Sequence, residues 1–333
     1  DLNMKNKFYF IIILILCISN HSLGYETKNL TNIKSSVVEL FTDNSNQLPR
    51  LRNLKYISGL EINANHPDFG GLSGLIINNN YSFHAIGDQG IWVTGKLNLD
   101  NKNKINSISG AKLGYLKNEN DNYLVRLGKS FTDAEAIEIY DEKLIVSFER
   151  NHRILLYNQI NKKPYIFYDK LRLLDLPNNG GIEAMASLKD NSLFLLSEDL
   201  VTSDDKLTGF ILKNNKIKKV FINRSGLFKP TDLSPLPSGD IILLERSYSP
   251  IKGAAARISL IKYEDILYEK IIFPIQIDII APPMVVDNFE GISILELEGG
   301  GFDIFILSDD NFNAFQKTLL FQFYWDGKIK LKD

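Results

Sequence analysis

Cysteine is nearly missing. The 333 residues hold one, Cys17, and it lies inside an apolar leader. From residue 25 onward the chain therefore has no disulfide, no thiolate metal site and no cysteine nucleophile. Histidine is scarce as well: His66, His84 and His152 are scattered beyond the leader without metal-ligand spacing. No sign of charge dominates, with 38 basic against 40 acidic residues and a formal net charge of −2. That balance excludes a global field drawing the protein to nucleic acid or an anionic membrane. Lys, Asn and Ile are abundant but spread evenly, which reads as coding bias.

Long hydrophobic runs are absent but for one. Phe8 through Ile18 follows Lys5 and Lys7 and precedes Ser22-Leu23-Gly24, the three-part grammar of a secretory signal, too short for a stable anchor. Residues 1–24 are thus expected to be a signal peptide cut before Tyr25, with Asp1–Asn3 ahead of Met4 a start-site artefact. A lipid anchor on Cys17 is disfavoured by bulky Leu16 before it. The expectation is a periplasmic or secreted protein, without a stable membrane span once the signal is cut. Other signatures are lacking too. Ser73 sits in Leu-Ser-Gly-Leu rather than a nucleophile elbow, and Gly299-Gly300-Gly301 has no following lysine and hydroxyl for a phosphate loop. No long amphipathic helix is legible.

What the chain does have is an internal repeat. Five segments share a small or acidic residue, an apolar strand, a turn, a second apolar strand and an acidic cluster. They begin near Ser73, Glu135, Glu183, Asp232 and Glu290 and recur roughly every fifty residues, the period of a four-stranded propeller blade. The sequence is rich in β-branched and aromatic residues broken by turns such as Pro237-Ser238-Gly239-Asp240. The reading is an all-β propeller of five four-stranded blades, the spacing being compatible with a degenerate sixth. A lead segment over 25–53 precedes a single domain over 54–333. The last unit is one strand short, so Leu54–Ile62 is expected to close the ring. A pair of β-sandwiches with accidental similarity is the bland alternative.

Equivalent positions of innermost strands converge on a propeller axis. Glu135, Glu183, Asp232 and Glu290 form one such set; Asp88, Glu149, Glu198, Glu245 and Asp309 form another. Carboxylates gathered on one axis repel unless protonated, paired or metal-bound, and their hard oxygens suit Ca²⁺ or Mg²⁺, with Ca²⁺ the expected ion. Candidate metal ligands are Asp88, Glu135, Glu183, Asp232, Asp287, Glu290, Asp309 and Asp310. Among them Asp309-Asp310-Asn311 with Asp287-Asn288 offers the densest oxygen set. The same carboxylates could instead cap turns or pair with Arg150, Arg153, Arg246 and Arg257. Candidate catalytic residues are Glu149, Arg150, His152, Glu245 and Arg246. The arginines could clamp a phosphate bidentately, or each Glu-Arg pair could be a structural rung of its blade. His152, beside them, is a general-acid candidate.

These segments also carry a family resemblance. Gly70-Gly71-Leu72-Ser73-Gly74-Leu75, Asp133-Ala134-Glu135-Ala136, Ser147-Phe148-Glu149-Arg150 and Leu244-Glu245-Arg246-Ser247 are joined by Val286-Asp287-Asn288-Phe289-Glu290-Gly291 and Ser308-Asp309-Asp310-Asn311-Phe312-Asn313. Together they resemble the phytase-like domain described as esterase-like activity of phytase, over roughly residues 55–325. Ala136 departs from the usual glycine there. The resemblance implies an envelope or extracellular hydrolase whose partner is a small-molecule ester or phosphate ester. A monomer is expected. The leading functional reading is a metal-assisted hydrolase; the rival is a non-catalytic propeller that binds a ligand or protein at its channel mouth.

Overall fold

Strands such as Leu193–Leu196 and Ile241–Leu244 are apolar at every position, so both faces need cover. A ring of sheets supplies that cover, because each sheet is sandwiched between two others. The computed structural model describes residues 25–31, 33–41 and 51–330. It is a five-bladed β-propeller. The expected signal, residues 1–24, lies outside the described residues.

Three strands come first: β1 (Lys28–Asn29), β2 (Lys34–Val37) and β3 (Leu54–Asn63). The first blade follows as β4 (Leu72–Ile77), β5 (Ser82–Gly87), β6 (Ile91–Leu99) and β7 (Ile105–Tyr115). After a one-turn helix α1 (Lys129–Thr132), the second blade is β8 (Ala134–Tyr140), β9 (Lys143–Phe148), β10 (Arg153–Tyr157) and β11 (Tyr165–Tyr168). The third is β12 (Ile182–Ser187), β13 (Leu193–Val201), β14 (Lys206–Lys213) and β15 (Lys216–Asn223). The fourth is β16 (Lys229–Pro235), β17 (Ile241–Ser249) and β18 (Gly253–Ile261), completed after a short β19 (Ile271–Ile272) by β20 (Ile275–Ile280). The fifth is β21 (Asn288–Glu296), β22 (Phe302–Asp309) and β23 (Leu319–Trp325).

The ring closes as expected: β3 pairs antiparallel with β23, running from Leu54 opposite Trp325 to Glu61 opposite Leu319. Asp278 holds the start of that strand by accepting the Arg52, Asn53 and Leu54 amides at 3.0, 2.7 and 2.8 Å. In the lead segment, β1 pairs with β7 and β2 with β3 as extra outer strands. Among the described residues the sheet order shows five blades and no sixth.

The core is divided among the blade interfaces. Five apolar clusters fill the five gaps, for instance Ile86, Trp92 and Leu116 against Val146, Phe148 and Tyr157 between the first two blades. Hydroxyls stitch the inner strands across these gaps. Ser73 Oγ donates to the Ala134 carbonyl at 2.6 Å, and Thr231 Oγ1 to the Phe289 carbonyl at 3.3 Å.

Candidate functional site

All five inner strands break register against their neighbours at the same height. The shifts fall between Leu72 and Gly74, Ala134 and Ile137, Ile182 and Ala184, Pro230 and Asp232, and Phe289 and Gly291. A bulge leaves one residue unpaired and re-aims its side chain. The bulged residues are therefore Ser73, Glu135, Glu183, Thr231 and Glu290. Three glutamates share this tier, while Ser73 and Thr231 spend their hydroxyls on the next blade's backbone.

The register corrects two residues of the sequence reading. Asp232 is one step out of phase with the glutamates, aligning with Gly74, Ala184 and Gly291. It is buried and accepts the Leu233 and Ile292 amides, each at 2.8 Å, thereby linking the fourth blade to the fifth. Glu245 is also out of phase. Both its oxygens are taken by Arg257, at 2.7 and 2.6 Å, inside the fourth blade. The residue in phase with Asp88, Glu149, Glu198 and Asp309 is Arg246.

Arg246 is thus the single cation in a tier otherwise made of acids. It donates to Asn288 Oδ1 at 2.8 Å and Glu198 Oε1 at 3.1 Å, and lies 3.3 Å from Glu290 Oε1. Across the channel, Lys129 on α1 bridges Asp88 at 2.6 Å and Asp133 at 2.5 Å. Arg150, with a left-handed φ of 56°, turns its guanidinium onto Asp133. His152 is buried against Gly181. Its Nε2 meets the Pro177 carbonyl at 3.1 Å, and burial lowers the imidazole pKa, so it is neutral near pH 7.

The densest oxygen cluster is Asp133, Glu135 and Glu149, each placing one ligand atom within 4.8 Å of the others. Asp133 was missed from sequence, although it stands two residues before Glu135. The expected cluster around Asp309-Asp310-Asn311 and Asp287-Asn288 does not form. Asp310 accepts the Gly71 and Phe312 amides at 3.0 and 3.1 Å, and Asp287 accepts those of Asn288 and Lys317 at 2.8 and 2.9 Å. Of that set, Asp309 stands in the axis tier itself and Asn288 touches it through Arg246 and Glu290. Gly71, at φ 61°, is required where these loops meet, since a Cβ there would lie 2.5 Å from Asp88 Oδ1.

Burial and mutual repulsion leave the axis acids short of positive charge. Glu135 is raised well above the usual range by burial and then by Asp133, Glu149, Glu290 and Asp88. Glu183 is raised likewise by burial, Glu135, Glu149 and Glu198. Burial pushes Glu290 up to about 8 despite Arg246, and Asp309 up to about 7. Asp88 Oδ1 is buried with no hydrogen-bond partner among the described residues. An all-carboxylate donor set with one orphaned oxygen fits a hard divalent cation better than zinc. Beside this cluster opens a cleft of about 960 Å³ that shares Glu198 and Arg246 with it. Lys229 and Arg224 line its wall, and exposed Tyr248 and Phe315 stand at its rim.

Comparison with curated protein sequences finds no match. Among solved structures, a luciferin-regenerating enzyme aligns with a TM-score of 0.41 at 9% identity, covering 79% of this chain and 97% of that one. A mannose phosphorylase from Leishmania mexicana, in complex with phosphate ion, aligns at 0.42 and 8% identity over 80% and 91% of the two chains. A protein from Dyadobacter fermentans aligns at 0.42 and 10% identity over 84% and 86%. The family model for phytase-like proteins, described as esterase-like activity of phytase, matches residues 67–312. That span is well over half of the chain and takes in all five inner-strand bulges with the axis acids beside them, so the chain belongs to the phytase-like family.

Proposed function

We propose that this protein is a divalent-metal-assisted hydrolase of small esters, phosphate esters foremost. The observation that carries the reading is that the carboxylate tier on the axis meets, at Glu198 and Arg246, a cleft in which Arg224 and Lys229 stand among Asp199 and Asp287. Asp133, Glu135 and Glu149 would hold the ion, with Glu183, Glu290, Asp88 and Asp309 around them. When bound, such an ion supplies Lewis-acid polarisation of an ester or phosphoryl oxygen and a lowered pKa for water. The chain's own residues do the rest. Arg246, Lys229 and Arg224 face the anionic part of a substrate in the cleft. Lys129 and Arg150 neutralise Asp133 and hold it in one orientation. Glu290 and Asp309, titrating near neutral pH, are placed to take or return a proton on the axis. We also propose that the protein works outside the cytoplasm, in the periplasm or beyond it, on the strength of the leader sequence.

The test is hydrolysis of p-nitrophenyl phosphate and p-nitrophenyl acetate by purified protein, with calcium or magnesium and with chelator. Metal-dependent turnover that falls at least about 100-fold in Glu135→Gln or Glu149→Gln supports the proposal. Turnover indifferent to chelator, or to both substitutions, overturns it. Calcium binding without turnover of any ester would leave the rival reading, a ligand-binding propeller.

A further inference from the structure

A second groove lies at the other end of the molecule. β4 and β8 run from the acidic face, at Ser73 and Glu135, toward Ile77 and Tyr140. The groove opens beyond them, between the first two blades, with a volume of about 710 Å³ and Asn78, Ile139 and Glu142 at its border. It shares no lining residue with the cleft beside the axis.

Strand register dictates what the first blade shows there. His84 pairs with Thr94 and Ile86 with Trp92; Trp92 pairs with Gly114 and Thr94 with Lys112. His84, Trp92, Thr94 and Lys112 therefore share one face of the sheet, turned toward the second blade. Gly114 lets the indole lie down on β7, since a Cβ there would come within 2.2 Å of the Trp92 ring. Trp92 is 3% exposed. Its Nε1 can only donate, yet it has no acceptor among the described residues, and the buried His84 Nδ1 is likewise unpartnered. The chain's other tryptophan differs: Trp325 Nε1 donates to the Lys328 carbonyl at 2.9 Å. Buried N–H groups are seldom left unmet. Two orphaned ring nitrogens on one face of one groove mark a place for an acceptor.

Charge narrows the ligand. Lys112 makes no ion pair among the described residues, and Lys143 lies 3.8 Å from a largely exposed Asp141, leaving Glu142 as the carboxylate at the border. Leu144 and Ile160 add apolar wall. We propose that this groove is a second binding site, for a small organic anion whose carboxylate oxygens accept from Trp92 Nε1 and His84 Nδ1 and whose apolar body lies against Leu144 and Ile160. Lys112 and Lys143 balance its charge.

Trp325→Phe leaves Trp92 as the only tryptophan, so its fluorescence can be followed while benzoate is added, with melting temperature of the unaltered protein as the parallel readout. The expected result is a saturable emission change and a rise in melting temperature. Inorganic phosphate, lacking an apolar body, should bind at least about tenfold more weakly. Lys112→Ala with Lys143→Ala should weaken benzoate by about tenfold or more, and Trp92→Phe should remove the thermal response. Glu135→Gln, on the opposite face, should leave benzoate binding unchanged. A linear, non-saturating response overturns the site. So does a Trp92→Phe protein that keeps the full thermal shift, and phosphate binding as tightly as benzoate overturns the assignment of an organic ligand.

Discussion

Asp232 and Glu135 stand two blade-steps of sequence apart and look alike in the repeat, yet the structure gives them opposite energetics. Asp232 spends both oxygens on backbone amides of two blades. Asp232→Ala should cost about 1–3 kcal/mol by leaving the Ile292 amide unmet, equally with and without calcium. Glu135 is buried among four other acids, and the nearby Arg150 is already turned onto Asp133. Glu135→Gln should therefore stabilise the chelated protein, by about 1–2 kcal/mol near neutral pH, while abolishing any gain from added calcium. Thermal melts of both variants, each with calcium and with chelator, check the pair; a calcium response that survives Glu135→Gln refutes it. The residue types were legible in the sequence because acids recur with the blade period. Their phase was not, because a bulge inserts one residue without any mark in composition. That single step moves Asp232 and Glu245 off the axis and puts Arg246 on it.

Strands announced themselves through unbroken apolar runs such as Leu193–Leu196, and blade boundaries through turn residues. The extra outer strands β1 and β2 did not, for they are short, exposed and polar, held by pairing rather than by burial. Ring closure was legible for a plainer reason: β23 needed a partner, and Leu54–Ile62 was the apolar strand left over. The closing pair is tightly fitted. Gly59 faces Phe321 across the ladder, and a Cβ on it would meet that ring at 2.5 Å and the Tyr56 hydroxyl at 2.6 Å. Phe321 is fully buried, so it has little room to give. Gly59→Ala is expected to cost about 1–3 kcal/mol, read as a lowered denaturation midpoint with unchanged slope. A midpoint equal to the parent's would show that the two rings move aside freely. Deleting Leu54–Ile62 altogether should abolish cooperative unfolding, because it bares an edge along β23; a truncated protein that keeps its melting temperature contradicts that.

Across the whole molecule, the axis acids set how stability changes with pH. Glu290 and Asp309 hold protons up to about 8 and about 7 in the folded state, against 4.5 and 3.8 when free. The folded chain thus binds more protons than the unfolded one, and stability falls as pH rises from about 4.5 through about 8. A divalent ion binds the deprotonated form, so its stabilising effect should grow over the same window. Chelated protein is expected to melt lower at pH 8 than at pH 5, and calcium to flatten that slope; a chelated protein most stable at pH 8 would contradict it. One further consequence concerns time. Glu61 on β3 meets Lys317, which lies 256 residues downstream, and β23 follows it. At roughly 5–20 residues per second of synthesis, β3 waits on the order of tens of seconds for its partner to exist. For that interval the ring is an open arc of blades with an unmatched strand at its leading end. A nascent chain stalled before Leu319 should be cut by protease within Leu54–Asn63, and the same site should vanish once the final seven-residue strand has emerged.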